Sequence, residues 1–346
     1  MDTKADSLSY PWPNPPEPGQ TVEVAPGLLW LRLPLPYQLN HVNVYLIAHA
    51  GGWAVVDTGL SNDLSRSSWD AVLRGPLRNQ PVTRLIVTHY HPDHVGLAGW
   101  LAERFGCPLT MTRTEYLLAS YYGAPHTGAQ INDRIEFYRR QGIPGETIQA
   151  LMGRGSDYLT RVTPLPPAFD RAVDGTTLQL GDRNFKVLTG GGHSEEQMML
   201  LLPSEKLFLS ADQVLSRISP NVSVHAIEPA SDALGDYLAS LQRLSRDLPD
   251  DLLVLPGHGV PFYGLKLRLK QLLDHHAERC DAVAVACADR SLTAWELVPK
   301  IFHRPLDAHQ SGFATSEVVA HVNYMVGIGR LERDVATNGV VRFKAV

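Results

Sequence analysis

Between Val87 and Val95 the chain reads Val-Thr-His-Tyr-His-Pro-Asp-His-Val, and no other stretch constrains the fold as tightly. The apolar, β-branched run Leu85–Val87 predicts a strand ending here. Pro92 suits a first helical position, and the spacing of Val95, Leu97, Trp100 and Leu101 predicts a helix running to about Gly106. His89, His91, Asp93 and His94 therefore span a strand end and the first turn of a helix. The extended part aims alternate side chains one way, and the turn aims the next two. Imidazole together with carboxylate suits zinc, iron or manganese, so His89 and His91 can serve one ion while Asp93 and His94 serve another. A surface loop rich in histidine by accident is the competing reading, and the density of donors argues against it.

Further donors follow later predicted strands. His193 ends Thr189-Gly-Gly-Gly-His, where glycines let the backbone turn sharply; Asp212 ends Leu207-Phe-Leu-Ser-Ala-Asp; His258 lies in Leu255-Pro-Gly-His-Gly. Singly, each is equally well a turn residue, Asp212 a helix cap for instance. Together they suggest strand ends converging on one edge of a sandwich.

The rest of the pattern agrees with an α/β chain. Leu28–Leu33, Val42–Ile47 and Trp53–Val56 precede Leu85–Val87 as strands; Thr177–Leu180, Phe185–Thr189, Met198–Leu202, Lys206–Ser210 and Leu252–Leu255 form a second group, with a helix about Leu234–Leu244. Two groups of strands, each covered by helices, predict a sheet-on-sheet sandwich with helices outside. Between the groups, at about 113–169, helical segments Thr114–Tyr122, Ala129–Gln141 and Glu146–Met152 read as an inserted cap. From Gly264 onward the pattern turns to helices, Leu265–Cys287, Thr293–Phe302 and Thr315–Ile328, then a hairpin around Asn338-Gly339. The expected organisation is a loose Pro-rich arm over 1–21, a catalytic domain over 22–263 and a small domain over 264–346.

Composition narrows the partners. The 346 residues carry a formal charge of −5, with no clustered Lys and Arg, so nucleic acid and anionic membrane are disfavoured. Cys107, Cys280 and Cys287 are the 3 cysteines and form no CxxC, so neither a thiolate zinc knuckle nor a disulfide framework is indicated. With no signal-like or membrane-spanning apolar stretch, the expectation is a cytoplasmic protein.

The run His89–His94, with Val55-Val-Asp57-Thr-Gly59, Gly192-His193-Ser194, Ser210-Ala-Asp212 and Pro256-Gly-His258-Gly, resembles the metallo-β-lactamase superfamily over about Val22 to Phe262. The resemblance implies an αββα sandwich and two Zn2+ ions, with iron or manganese as alternatives. It puts His89, His91 and His193 on the first ion, Asp93, His94 and His258 on the second, and Asp212 between them. It also puts Asp57 behind the ligands as an orienting carboxylate. Tyr90 stands where Ser or Thr is commoner, Gly191 where Pro is usual, and Gln197 where a further His is frequent. The tail resembles the winged-helix-like end of a subgroup that includes a mitochondrial endoribonuclease and fungal polyketide thioesterases. Its last helix carries Glu317, His321 and Asn323 rather than Arg and Lys, so packing or homodimer formation is expected of it rather than DNA binding.

Two ions about 3.5–4 Å apart can share a water, lower its pKa and polarise the carbonyl it attacks. The expected activity is hydrolysis of a small-molecule thioester, lactone or other ester, with Asp93 and Asp212 catalytic and Asp93 assisting proton transfer. A phosphodiesterase or ribonuclease is the alternative within hydrolases, and a mononuclear-iron persulfide dioxygenase outside them. Expected substrate contacts are Tyr90, the aromatic residues Tyr121, Tyr122 and Tyr138 of the insertion, and Arg217 and Asn221 after Asp212. An aromatic stripe at helical spacing is as readily a packing face.

Overall fold

The structure, a computed structural model, describes residues 7–153, 157–303 and 305–346. The first sheet runs in the order β1 (Thr21–Ala25), β2 (Leu28–Pro34), β3 (His41–His49), β4 (Gly52–Val56), β5 (Val82–Ile86), β6 (Leu109–Met111), β7 (Asp170–Arg171). Strands β1 to β4 are antiparallel neighbours, and from β4 to β7 the pairing is parallel. The second sheet contains β8 (Thr177–Leu180), β9 (Arg183–Gly190), β10 (Gln197–Leu202), β11 (Leu207–Ala211) and β12 (Leu253–Pro256), with only the β11–β12 pair parallel.

Both faces of both sheets are covered, which explains why the inner strands read as continuous apolar runs rather than alternating ones. In β10, Met198, Leu200 and Leu202 point between the sheets against Trp30, Tyr45 and Phe185, while Met199 and Leu201 point outward. Outside the first sheet lie α1 (Asp63–Arg74), α2 (Pro92–Val95) and α3 (Ala98–Phe105); Trp69 and Leu101 are fully buried there. Outside the second sheet α8 (Ala233–Asp247) buries Tyr237 and Leu241. The layers are αββα, as expected.

The single helix expected from Pro92 to Gly106 is two. Its backbone between α2 and α3 is claimed by neighbours: the Leu97 N–H donates to Gly59 O (3.1 Å), and Gly96 O accepts from the Thr163 N–H (2.7 Å). These bonds break the helix and fasten its first turn to the Asp57–Gly59 corner.

Between β6 and β7 the insertion folds as α4 (Arg113–Tyr122), α5 (Gly128–Arg140), α6 (Gly145–Met152) and the short α7 (Asp157–Arg161), which the sequence did not suggest. The tail, a separate small domain, is α9 (Leu265–Ala286), α10 (Ala294–Ile301), α11 (Ala308–Gly327) and the hairpin of β13 (Leu331–Val335) with β14 (Val341–Ala345). Helix α11 starts earlier than periodicity suggested, because Asp307 caps it through its carboxylate on the Gln310 N–H. It packs on α8, α9, α10 and also on α6 of the insertion. Residues 7–20, read from sequence as part of a loose arm, run along the body: Ser9 pairs with Tyr263, and Tyr10 and Trp12 pack against the cores. Residues 1–6 lie outside the described residues. No described helix is long and apolar enough to cross a membrane.

Candidate metal centre

Four strand ends deliver the predicted ligands to one edge of the sandwich, and a fifth brings Asp57 behind them. Asp57 follows β4, the His89–His94 corner follows β5, His193 follows β9, Asp212 follows β11 and His258 follows β12. Two glycines make the convergence sterically feasible. Gly192 has φ +97°, and a Cβ there would meet Tyr237. Gly257 lets the His258 loop pass so close that a Cβ would lie 2.1 Å from Asp212 Oδ1. The same loop is sewn to the other sheet: the Asn43 N–H donates to Gly257 O (2.7 Å), and Tyr45 OH (2.9 Å) and Asn43 Nδ2 (2.8 Å) donate to Pro256 O. Each such buried bond contributes about 1 kcal/mol, and here they set where His258 stands.

Around one point stand His89 Nε2, His91 Nδ1 and His193 Nε2, separated by 3.0, 3.1 and 3.3 Å. His89 Nδ1 donates to Thr88 Oγ1 (2.9 Å), which itself donates to Asp57 Oδ2, and His193 Nδ1 donates to Asn221 O (2.8 Å). With those protons placed by their acceptors, the inward nitrogens of His89 and His193 are lone pairs. Burial, aided by the neighbouring imidazoles, pushes the pKa of His89 and His91 well below the ordinary value and lowers that of His193, so all three stay neutral. Lone pairs at such spacing repel one another unless a cation stands among them, and tetrahedral zinc with bonds of 2.0–2.1 Å sets its nitrogens about 3.3 Å apart.

Beside it lies an acidic group. His258 Nε2 is 3.1 Å from Asp212 Oδ2 and 3.4 Å from Asp93 Oδ2, and His94 Nε2 is 3.5 Å from Asp212 Oδ1. Asp212 Oδ2 is also 3.5 Å from His193 Nε2, so this carboxylate stands between the two groups. Asp57 accepts from His94 Nδ1 (2.8 Å) and from the Thr88 N–H (2.8 Å), and the His258 Nδ1–H donates to His41 O (2.6 Å). Burial disfavours charge on His94 and His258, yet Asp212, Asp57 and Asp93 outweigh it at His94, raising it well above its usual value, and Asp212 and Asp93 outweigh it at His258, raising it to about 10. Burial would likewise raise Asp93 and Asp212, but the facing imidazoles hold both below the usual carboxylate range. His94 Nε2 and Asp212 Oδ1 are buried without a hydrogen-bond partner. Orphaned inward-facing donor atoms are what a cation site leaves in the bare protein.

Among the described residues, three overlapping sets have donor atoms within 4.8 Å of one another: His89, His91 and His193; His89, His94 and Asp212; Asp93, His94 and His258. The family described as the metallo-beta-lactamase superfamily matches residues 37–258, about two thirds of the chain. The chain belongs to this superfamily. The family described as the metallo-beta-lactamase-like C-terminal domain matches 280–346. A beta-lactamase domain protein from Burkholderia ambifaria is 39% identical, each chain covered to 98%, with a TM-score of 0.91. A metallo-beta-lactamase family protein from Thermus thermophilus is 29% identical over 93% of this chain and 100% of that one, with a TM-score of 0.79. An atrochrysone carboxyl ACP thioesterase of Passalora fulva is 23% identical over 89% of this chain and 77% of its own length. Family and ligand cluster together make this superfamily member a metal hydrolase using a divalent ion.

Of the expected substrate contacts, Tyr90, Tyr121, Tyr122 and Tyr138 come together in a cavity of about 450 Å³ that reaches His91. Tyr90 and Tyr122 stack at 5.4 Å, and Tyr158 OH donates to Tyr90 O. Two expectations fail to reach it. Arg217 is exposed, its guanidinium 5.2 Å over the Tyr10 ring, because the chain after Asp212 turns toward the N-terminal residues. Asn221 stands behind His193, its carbonyl holding the ring and its Nδ2 donating to Glu317. Gln197, where a His is frequent in the superfamily, accepts the Asp212 N–H (3.1 Å) and so fixes the carboxylate's approach.

Sequence reasoning missed Glu115. Fully buried in the first turn of α4, it accepts from the Tyr90 N–H, Ser194 Oγ and the Glu196 N–H, clamping the loops of His91 and His193 together. Burial raises its pKa to about 7. An acid early in a helix is too common a signal to have singled it out.

Proposed function

We propose that this chain hydrolyses a thioester or other ester carrying an apolar, ring-bearing acyl group, using two zinc ions. The observation that carries this reading is the tyrosine-walled cavity opening onto His91. His89, His91 and His193 would hold one ion, Asp93, His94 and His258 the other, and Asp212 both. Bound divalent ions supply Lewis acidity and lower the pKa of a coordinated water. The stacked Tyr90 and Tyr122 hold the acyl group flat and exclude bulk water from the scissile bond. Asp93 is the more exposed of the two ligand carboxylates, 21% against 6% for Asp212, and in this reading takes a proton from the attacking water and returns it to the leaving group. Similarity to a thioesterase supports the bond type. In the tail, Glu317, His321 and Asn323 are all buried, so the helix that would enter a nucleic-acid groove is committed to packing.

The test is metal analysis of the purified protein followed by a panel of aryl thioesters, lactones, phosphodiesters and glutathione persulfide. The reading requires about two zinc per chain and thioester or ester turnover that Asp212→Ala abolishes. Cleavage of phosphodiesters alone, or one iron with oxygen uptake, would replace it.

A further inference from the structure

Beyond the tyrosines, the cavity changes character. Helix α5 lines it with Gln130, Arg134, Phe137 and Tyr138, residues spaced along one helical face, and α11 forms the opposite wall at Gly312, Phe313 and Ser316. Ring contacts run from Tyr90 to Tyr122 at 5.4 Å and from Tyr122 to His126 at 6.2 Å, so the polar cluster of His126 and Arg134 stands across the aromatic pair from His91. Arg134 is half-buried and makes no hydrogen bond or ion pair among the described residues. His126 Nε2 is a buried atom with no hydrogen-bond partner. A half-buried guanidinium with no counter-charge from the protein is left free to pair with an anionic group on a ligand.

We infer that Arg134 and His126 form a subsite for an oxyanion on the substrate, a carboxylate or phosphate remote from the bond being cleaved, and that Arg134 sets specificity for such substrates. The inference rests on the hydrolase reading above. Asp133 is the cavity's one acid among the described residues, and it is exposed, where water screens it. Burial and Arg134 lower the pKa of His126, and burial, Arg134 and His193 lower that of His225 to about 4, so both rings are neutral at pH 7 and offer hydrogen bonds rather than charge. Arg134 thus supplies the cationic charge, and its planar fork matches a carboxylate in two parallel bonds.

The experiment has three arms on the full-length, metal-loaded protein and its Arg134→Gln and Arg134→Lys variants. One compares kcat/KM for the 4-carboxybenzoyl thioester of N-acetylcysteamine with that of its carboxamide analogue. Another compares benzoyl thioesters of phosphopantetheine and pantetheine. The third reads binding of 2-naphthoate against 2-naphthamide by calorimetry. The expected result is a preference of about 10- to 100-fold for the anionic member in the first or second arm, which identifies where the anion sits. That preference should collapse in Arg134→Gln and survive in part in Arg134→Lys, and naphthoate binding should weaken likewise. Turnover of neutral thioesters with no anionic preference in either arm, or a preference unchanged in Arg134→Gln, overturns the inference and leaves the hydrolase reading standing. Arg134-dependent naphthoate binding without cleavage of any thioester does the reverse.

Discussion

Asp57 occupies the left-handed region, φ 63°, a conformation Asn tolerates about as well as Asp, so Asp57→Asn changes its chemistry with little change of backbone. Its two oxygens accept from His94 Nδ1, Thr88 Oγ1 and the Thr88 N–H, three donors that an amide with a single acceptor oxygen cannot satisfy. The expected outcome is a loss of about 10- to 100-fold in metal affinity with the fold intact, read by chelator competition and circular dichroism; unchanged affinity would mean that Asp57 does not orient the ligands. Glu115 gives a pH signature. Its folded-state pKa is raised to about 7, so between its unfolded value near 4.3 and pH 7 the folded protein holds a proton the unfolded chain has lost. Stability must therefore fall as pH rises through that window, by up to about 3 kcal/mol from this one group. Glu115→Gln has no such proton. Denaturant midpoints of the metal-free proteins at pH 4.5 and 7.5 should show the wild type losing stability relative to the variant; parallel curves would refute the buried, raised carboxyl.

At the scale of elements, α11 of the tail is tied to the metal centre by Glu317. Glu317 accepts from Asn221 Nδ2 (3.0 Å), pairs with Arg279, and thereby steadies the carbonyl that holds His193. Glu317→Ala should lower metal affinity and kcat several-fold while KM changes little, whereas Glu317→Gln, which keeps an acceptor for Asn221, should restore most of the affinity. Equal losses in both variants would assign the effect to the broken ion pair with Arg279 instead. What was legible at this scale follows from range. The His89–His94 corner, the strand ends bearing His193, Asp212 and His258, and the insertion helices are local patterns, written in spacing and in glycines. Glu115, Arg134 and Glu317 acquire roles only when the insertion and tail close over the sandwich, which spacing along the chain does not report. Arg217 misled for the same reason: its nearness to Asp212 in sequence says nothing of the turn that carries it to Tyr10. The break between α2 and α3 was also hidden, since it comes from Gly59 and Thr163 taking bonds the helix would have used.

Across the whole molecule, the sandwich gathers two unlike groups at one edge, and their protonation differs before any ion arrives. His89, His91 and His193 are neutral, kept so first by burial and then by neighbouring imidazoles, His94 among them. In spite of burial, His94 is held as a cation by Asp212, Asp57 and Asp93, and His258 by Asp212 and Asp93, up to a pKa of about 10. An ion entering the first group displaces no proton, but one entering the second must displace two. Near neutral pH the second affinity should then rise by up to about 100-fold per pH unit while the first stays nearly flat. The sign follows from the raised values: below about 10 the proton competes with the ion, and the competition weakens as pH climbs. Zinc titrated into the metal-free protein at pH 6, 7 and 8, in buffers of different ionisation enthalpy, reads both affinities and the protons released at each step. Loading should be sequential at pH 6 and nearly simultaneous at pH 8. Two equal affinities at pH 6, or a second ion bound without proton release, would show that the facing carboxylates do not hold His94 and His258 charged.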